Sequence, residues 1–170
     1  PIRDAVPGSR DLDRVLALPR RAVPDAARAA AMVGLVSDRL RRPDRPPGAA
    51  CGCLARGRRR CLDRLLPVQA WALWEMSLAE GLLGPIGVGQ GKTGLDILAP
   101  MAVPGCRQAA LLLPPGRVEQ FVSEYLAWAE HFRGPSLVVP ASSGAPDRGW
   151  IRPGSPVLHV VTYSRFSRAE

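Results

Sequence analysis

Glycines at positions 87, 89 and 91, followed at once by Lys92 and Thr93, restrict the fold of this chain more than any other feature of its sequence. Alternate glycines permit φ angles that side chains disfavour, so the backbone can curl until successive N–H groups point at one anion. The apolar run Gly81-Leu-Leu-Gly-Pro-Ile86 precedes the loop and reads as a buried strand. Residues from Lys92 to about 99 read as a helix, broken by Pro100. Strand, glycine turn and helix in that order present a positive helix end to a phosphate. Gly87, Gly89, Gln90 and Gly91 would then cradle the phosphates, Lys92 would reach the β- and γ-positions, and the Thr93 hydroxyl would ligate Mg²⁺. The full pattern Gly-x4-Gly-Lys-[Ser/Thr] is not met, because its first position falls on Ile86. The competing reading is a glycine-rich turn with an incidental lysine.

Composition sharpens the point. Of 23 basic residues, 22 are Arg and Lys92 is the single Lys. A coding bias that replaces Lys by Arg wherever either charge serves would leave a lysine only where a compact ammonium is needed. The positive charge is also uneven. Residues 1–60 hold 14 Arg and 6 Asp for a net +8, and the remainder is neutral. The densest clusters are Arg39-Leu-Arg-Arg42 and Arg56-Gly-Arg-Arg-Arg60. A basic segment beside a neutral domain suggests contact with a polyanion, or else a solvated arm without a partner. No apolar stretch reaches the roughly 18 residues that span a bilayer, so no membrane partner is expected. Pro1 in place of Met, and an end at Glu170, suggest a piece cut from a longer protein.

Cys51, Cys53 and Cys61 form Cys-x-Cys-x7-Cys in a Gly/Arg-rich loop. Thiolates so close can bind Zn²⁺, with Cys106, a residue upstream of Pro1 or a water as the fourth ligand. Reduced, unligated thiols are the alternative. His131, near a helix end, and His159, in an apolar strand, read as core or surface residues.

Three regions follow. Residues 1–50 read as a basic helical lead-in, with helices at 11–18 and 26–40, a helix start at Pro24-Asp25, and a breaker-rich linker at 42–48. Residues 51–61 are the Cys/Arg-rich loop, and 62–170 read as an α/β domain. There, helices are expected at 67–80 and 118–132, strands at 108–113, 136–139 and 157–162, and a polar loop at 141–154. Apolar strands separated by helices argue a parallel sheet covered on both faces. Trp71, Trp74 and Trp128 read as packing residues.

The motifs resemble, in order and spacing, the first RecA-like domain of superfamily 2 helicases and Swi/Snf-type ATPases over residues 62–170. Leu66-Pro-Val-Gln69 resembles the family's adenine-reading Gln motif, since a Gln amide can pair with N6 and N7 of adenine. Leu111-Leu-Leu-Pro-Pro115 with Val118-Glu-Gln-Phe121 resembles motif Ia, and Val160-Val-Thr-Tyr-Ser164 resembles motif Ib. Pro114, Pro115, Thr162 and Tyr163 would by that resemblance face nucleic acid. The whole, with its Cys-bearing lead-in, also resembles helicase-like proteins of bacteriophages.

The resemblance implies a P-loop NTPase fold, a RecA-like parallel sheet flanked by helices, with ATP and Mg²⁺ as cofactors. It implies an ATP hydrolase acting on nucleic acid, DNA in preference to RNA, in the cytoplasm of a bacterium or of a phage's host. Lys92 and Thr93 would be its catalytic residues in this chain. The acidic motif II is missing, because no Asp-Glu pair occurs anywhere. A second RecA-like domain of the same chain, carrying the arginine finger, is missing too. The expectation is therefore a fragment that binds ATP without turning it over. Two other readings remain, the ATPase of a viral DNA-packaging terminase and a nucleotide-binding module that never translocates.

Overall fold

A computed structural model describes residues 26–53, 55, 61–82, 84, 86–139 and 148–163. The expected helix at 11–18, the Pro24-Asp25 helix start and the Arg56–60 cluster lie outside these residues.

Among the described residues, four α-helices and four strands make up an α/β fold: α1 (Ala26–Leu40), α2 (Pro67–Ala79), α3 (Lys92–Ala102), β1 (Gln108–Leu113), α4 (Val118–Trp128), β2 (Ser136–Val139), β3 (Arg148–Trp150) and β4 (Val157–Thr162). In α1 the Ala-rich sequence favours the helix, and Val33, Val36 and Leu40 fall on one buried face. Pro67 opens α2, where its missing N–H costs nothing, and the Gln69 side-chain carbonyl accepts from the Leu66 N–H at 2.8 Å. Glu80 ends α2 in the left-handed region at φ 54°, where a non-glycine residue is strained. Replacing this exposed residue, Glu80→Gly, is expected to raise stability by about 0.5–1 kcal/mol. Equilibrium denaturant unfolding checks it, and a loss of stability would contradict the cap.

The sheet order is β1-β4-β2-β3. β1, β4 and β2 are parallel and β3 runs antiparallel on β2, so the expected all-parallel sheet is in fact mixed. β3 lies within the segment expected to be loop. Arg148-Gly-Trp150 carries no apolar alternation and becomes a strand only because the edge of β2 has a ladder to offer. The expected strand at 81–86 pairs with nothing among the described residues. Ile86 N–H instead donates to Gly84 C=O at 2.9 Å, in a run whose sequence of two glycines and a proline disfavours a ladder.

Two helix bounds also differ. α3 runs through Pro100 to Ala102, since near the last turn a proline forfeits only one hydrogen bond, and Val103 N–H still reaches Ala99 C=O at 3.1 Å. α4 ends at Trp128, and the chain then turns tightly, with His131 and Phe132 N–H both donating to Trp128 C=O.

One sheet face is covered. Leu137, Val139, Leu158 and Val160 join Phe121, Val122, Tyr125 and Trp128 of α4 and Leu95, Ile97 and Leu98 of α3 in a single buried cluster. Each fully buried side chain of this size contributes about 1.5–3 kcal/mol. The Tyr125 hydroxyl, fully buried, donates to Pro135 C=O at 2.6 Å and accepts from Arg152 Nε at 3.0 Å, which fixes α4 over β2. On the other face Ala110 and Leu112 are exposed and Val157, His159 and Val161 half-buried, so cover on both faces is not found among the described residues. Val33, Val36 and Leu40 of α1 belong to the same cluster, and α1 packs on α2. No helix is long and apolar enough to cross a membrane among the described residues.

Candidate functional site

The glycine loop takes the curled form that its residues allow. Gly89 and Gly91 have φ of 78° and 71°, and Gly91 is the N-cap of α3. Gln90 N–H donates to Gly87 C=O and Gly94 N–H to Gly91 C=O. Lys92 folds its side chain back over the loop, Nζ donating to Ile86 C=O at 3.2 Å. Residues 87–90 are exposed, Val88 almost completely, so the loop lies at the surface rather than in the core.

Gln69 reaches this loop from α2. It is 2 % exposed, and its Nε2 donates to Gly91 C=O at 2.7 Å while Oε1 holds Leu66 N–H. The residue expected to read adenine thus spends a donor and an acceptor on fixing the loop. Beneath it Gly94 faces the Trp128 ring so closely that a Cβ there would lie 2.5 Å from a ring carbon. Trp128 and Phe132 pack with ring centroids 5.4 Å apart, Trp128 being 5 % exposed, as its reading as a packing residue requires. Trp71 is half-buried and donates to Glu75, and Trp74 is half-buried against the core.

A cleft of about 240 Å³ adjoins Thr93, lined also by Asp96, Leu113, Arg117, Gln120 and Glu124. It lies beside the loop rather than within it. Asp96 stays exposed as a residue, yet partial desolvation of its carboxyl in this cleft raises its pKa, against the opposing pull of the Lys92 charge. Leu113 ends β1 and pairs in register with Thr162 at the end of β4. The parallel pairing therefore brings Pro114 and Pro115, both exposed, to the same strand-end edge as Thr162 and the 53 % exposed Tyr163.

A second constellation lies at the other candidate residues. Cys51, Cys53 and Cys61 gather with His131, their ligand atoms all within 4.8 Å of one another. Cys51 Sγ is 3.4 Å from Cys61 Sγ, and His131 Nε2 is 3.2 Å from Cys53 Sγ and 3.6 Å from Cys61 Sγ. His131, read from sequence as an ordinary core or surface residue, is the fourth member. Cys106 is elsewhere, its thiol turned to Gln108 C=O. Backbone contacts between α1 and the turn after α4 make the meeting possible. Arg42 N–H donates to His131 C=O at 3.0 Å, Arg133 N–H to Leu40 C=O at 2.8 Å, and Arg41 bridges to Phe132. Arg42 Nη1 adds Ala129 C=O, and its other nitrogens hold Asp44. Part of the basic lead-in thus serves the fold: Arg41 pairs with Asp38, and Arg45 donates to Ala50 C=O.

Burial and the neighbouring Cys51 thiol push the Cys61 thiol up to about 12, and burial also raises Cys53. The Cys53 backbone N–H lowers Cys51. Burial lowers His131, against the opposing pull of Asp63, and favours the neutral imidazole. The donor set is three sulfurs and one imidazole nitrogen, with Cys53 and His131 buried.

In comparison with known proteins, the chain matches no family model, and no curated protein or solved structure matches it.

Proposed function

We propose that this chain binds ATP with Mg²⁺ at the loop of Gly87, Gly89, Gln90, Gly91, Lys92 and Thr93, as the first half of an ATP-driven nucleic-acid motor of the superfamily 2, Swi/Snf-like kind. The observation that carries the reading is the closure of the loop: Gly91 in the left-handed region turns the chain into α3 while the Lys92 ammonium lies back across the loop to Ile86 C=O. An incoming triphosphate would take the ammonium from that carbonyl, and the loop N–H groups and the start of α3 would supply the remaining donors. Thr93, at the mouth of the adjoining cleft, is the Mg²⁺ ligand in this reading. Zn²⁺ has no part in this chemistry, and its candidate ligands are other residues.

The nucleic-acid side rests on the shared edge of β1 and β4. In open α/β sheets ligands bind outside the carboxyl ends of the strands, where Pro114, Pro115, Thr162 and Tyr163 lie. Hydrolysis needs an acid that positions Mg²⁺ and water, and the 170 residues contain no Asp-Glu pair. The chain by itself is therefore proposed to hold ATP rather than consume it, with the acid and an arginine finger supplied by further sequence.

Titrating ATP–Mg²⁺ into the parent chain and its Lys92→Ala variant tests the site. Loss of one charge-assisted phosphate contact, about 1.5–3 kcal/mol, should weaken binding by at least about tenfold. Equal affinities would remove the assignment. Steady ATP turnover by the 170 residues alone would overturn the expectation of a binding-only piece.

A further inference from the structure

We propose that Cys51, Cys53, Cys61 and His131 form a structural Zn²⁺ site of three thiolates and one imidazole, which fastens the segment after α1 to the turn after α4.

The separations are close to those that tetrahedral Zn²⁺ coordination requires. Zn–S bonds of about 2.3 Å and Zn–N bonds of about 2.0–2.1 Å place tetrahedral ligand atoms about 3.8 Å apart for S–S and about 3.6 Å apart for S–N. The cluster has an S–S separation of 3.4 Å and S–N separations of 3.2 and 3.6 Å, with every pair within 4.8 Å. Small adjustments of these side chains bring all four to bonding distance of one ion. A disulfide fits less well, since the Cys51–Cys61 separation exceeds an S–S bond of about 2.05 Å and the pair would leave Cys53 and His131 unused.

The donor chemistry selects the ion. Three sulfurs with an imidazole suit Zn²⁺ and are poor ligands for Mg²⁺ or Ca²⁺, which prefer oxygen. Four protein ligands leave no open position, so the site is structural rather than catalytic. Binding changes no oxidation state. Each Cys Sγ–H bond breaks, its proton passes to solvent and its electron pair goes to the ion, while His131 gives the Nε2 lone pair and keeps its proton on Nδ1.

The position in the fold gives the site its purpose. Cys51, Cys53 and Cys61 come from between α1 and α2 in the chain, whereas His131 comes from beyond α4, 70 residues after Cys61. A metal bond between them locks a long loop that the backbone bonds of Arg42 and Arg133 close with only a few contacts. Cys53 and the neighbouring Phe132 are both fully buried, so this end of the junction lies in the core. None of the four ligands is a phosphate-loop residue, so the site stands or falls independently of nucleotide binding.

Metal analysis of the protein purified under reducing conditions without chelator tests the proposal. One Zn²⁺ per chain is expected in the parent and in Cys106→Ser, and much less than one in Cys53→Ser and His131→Ala. Because those last two variants can fail to fold, His131→Cys provides an independent reading. It should retain one ion, and its Co²⁺-substituted form should show a tetrahedral spectrum shifted toward four-sulfur coordination relative to the parent. Chelation of the parent should lower its melting temperature, and Zn²⁺ alone should restore it. Parent protein without stoichiometric zinc, an identical Co²⁺ spectrum for parent and His131→Cys, or a Cys51–Cys61 disulfide in the freshly reduced protein would each overturn it.

Discussion

Gly94→Ala is expected to destabilise the chain by about 3 kcal/mol, although alanine favours a helix interior over glycine by about 1 kcal/mol. The reason is the ring beneath it. A Cβ at Gly94 would lie 2.5 and 2.8 Å from two carbons of the Trp128 ring and 3.0 Å from Gln69 Nε2. The ring is stiff, nearly enclosed and held against Phe132, so it has little room to retreat. α3 must shift away from α4 instead, and it carries the phosphate loop at its start. For a chain of this length the loss corresponds to melting roughly 6–12 °C lower. Thermal unfolding of Gly94→Ala, Trp128→Phe and the double variant measures the contact directly. The smaller ring should return part of the loss in the double variant. An unchanged or raised melting temperature in the single variant would show that α3 and α4 do not meet at this glycine.

Gln69→Leu is expected to cost about 2–3 kcal/mol of stability and to weaken ATP and GTP binding by the same factor. The substitution keeps a side chain of similar volume while removing the amide that accepts from Leu66 N–H and donates to Gly91 C=O. Both partners lose a part-buried bond, and a polar group left unsatisfied away from water costs about 1–3 kcal/mol. Gly91 C=O keeps the Gly94 N–H, so the larger share falls at the start of α2. The nucleotide comparison separates two roles for Gln69. An adenine reader loses its preference for ATP over GTP when the amide goes, whereas a residue that holds the loop loses both nucleotides equally. Measuring both affinities for the parent and Gln69→Leu decides it, and a selective loss of ATP would return the adenine role to this residue.

Local chemistry was legible in the sequence wherever local physics was sufficient. β1, β2 and β4 cover the apolar runs, and Pro114, Pro135 and Pro156 beside them have no N–H with which to continue a ladder. α1 and the start of α2 follow from alanine content and Pro67 in the same way. The described residues of the segment at 81–86 have no strand partner, which a run's own composition cannot supply, and Ile86 N–H donates to Gly84 C=O instead. β3 was missed for the converse reason: three residues of indifferent composition became a strand through a neighbour's free edge. Gln69 looked like a base reader, and its burial against Gly91 arises only when α2 and α3 pack.

The cysteine cluster divides most sharply between the two sources. Cys51, Cys53 and Cys61 were candidates from spacing alone, since one short segment must bring its own thiols near each other. The incomplete set was the signal that a fourth ligand lay elsewhere, yet no spacing rule points to a histidine 78 residues after Cys53. By itself the sequence determined the curl of the phosphate loop, the solitary ammonium at Lys92 and most of the helices and strands. These depend on φ preferences, charge and periodicity within a few residues. Only the tertiary structure decided that His131 completes the cysteines, that Gln69 and Trp128 support the loop, and that β3 closes the sheet. Those outcomes are contacts between segments far apart in the chain, set by how buried faces pack rather than by any residue's own preference.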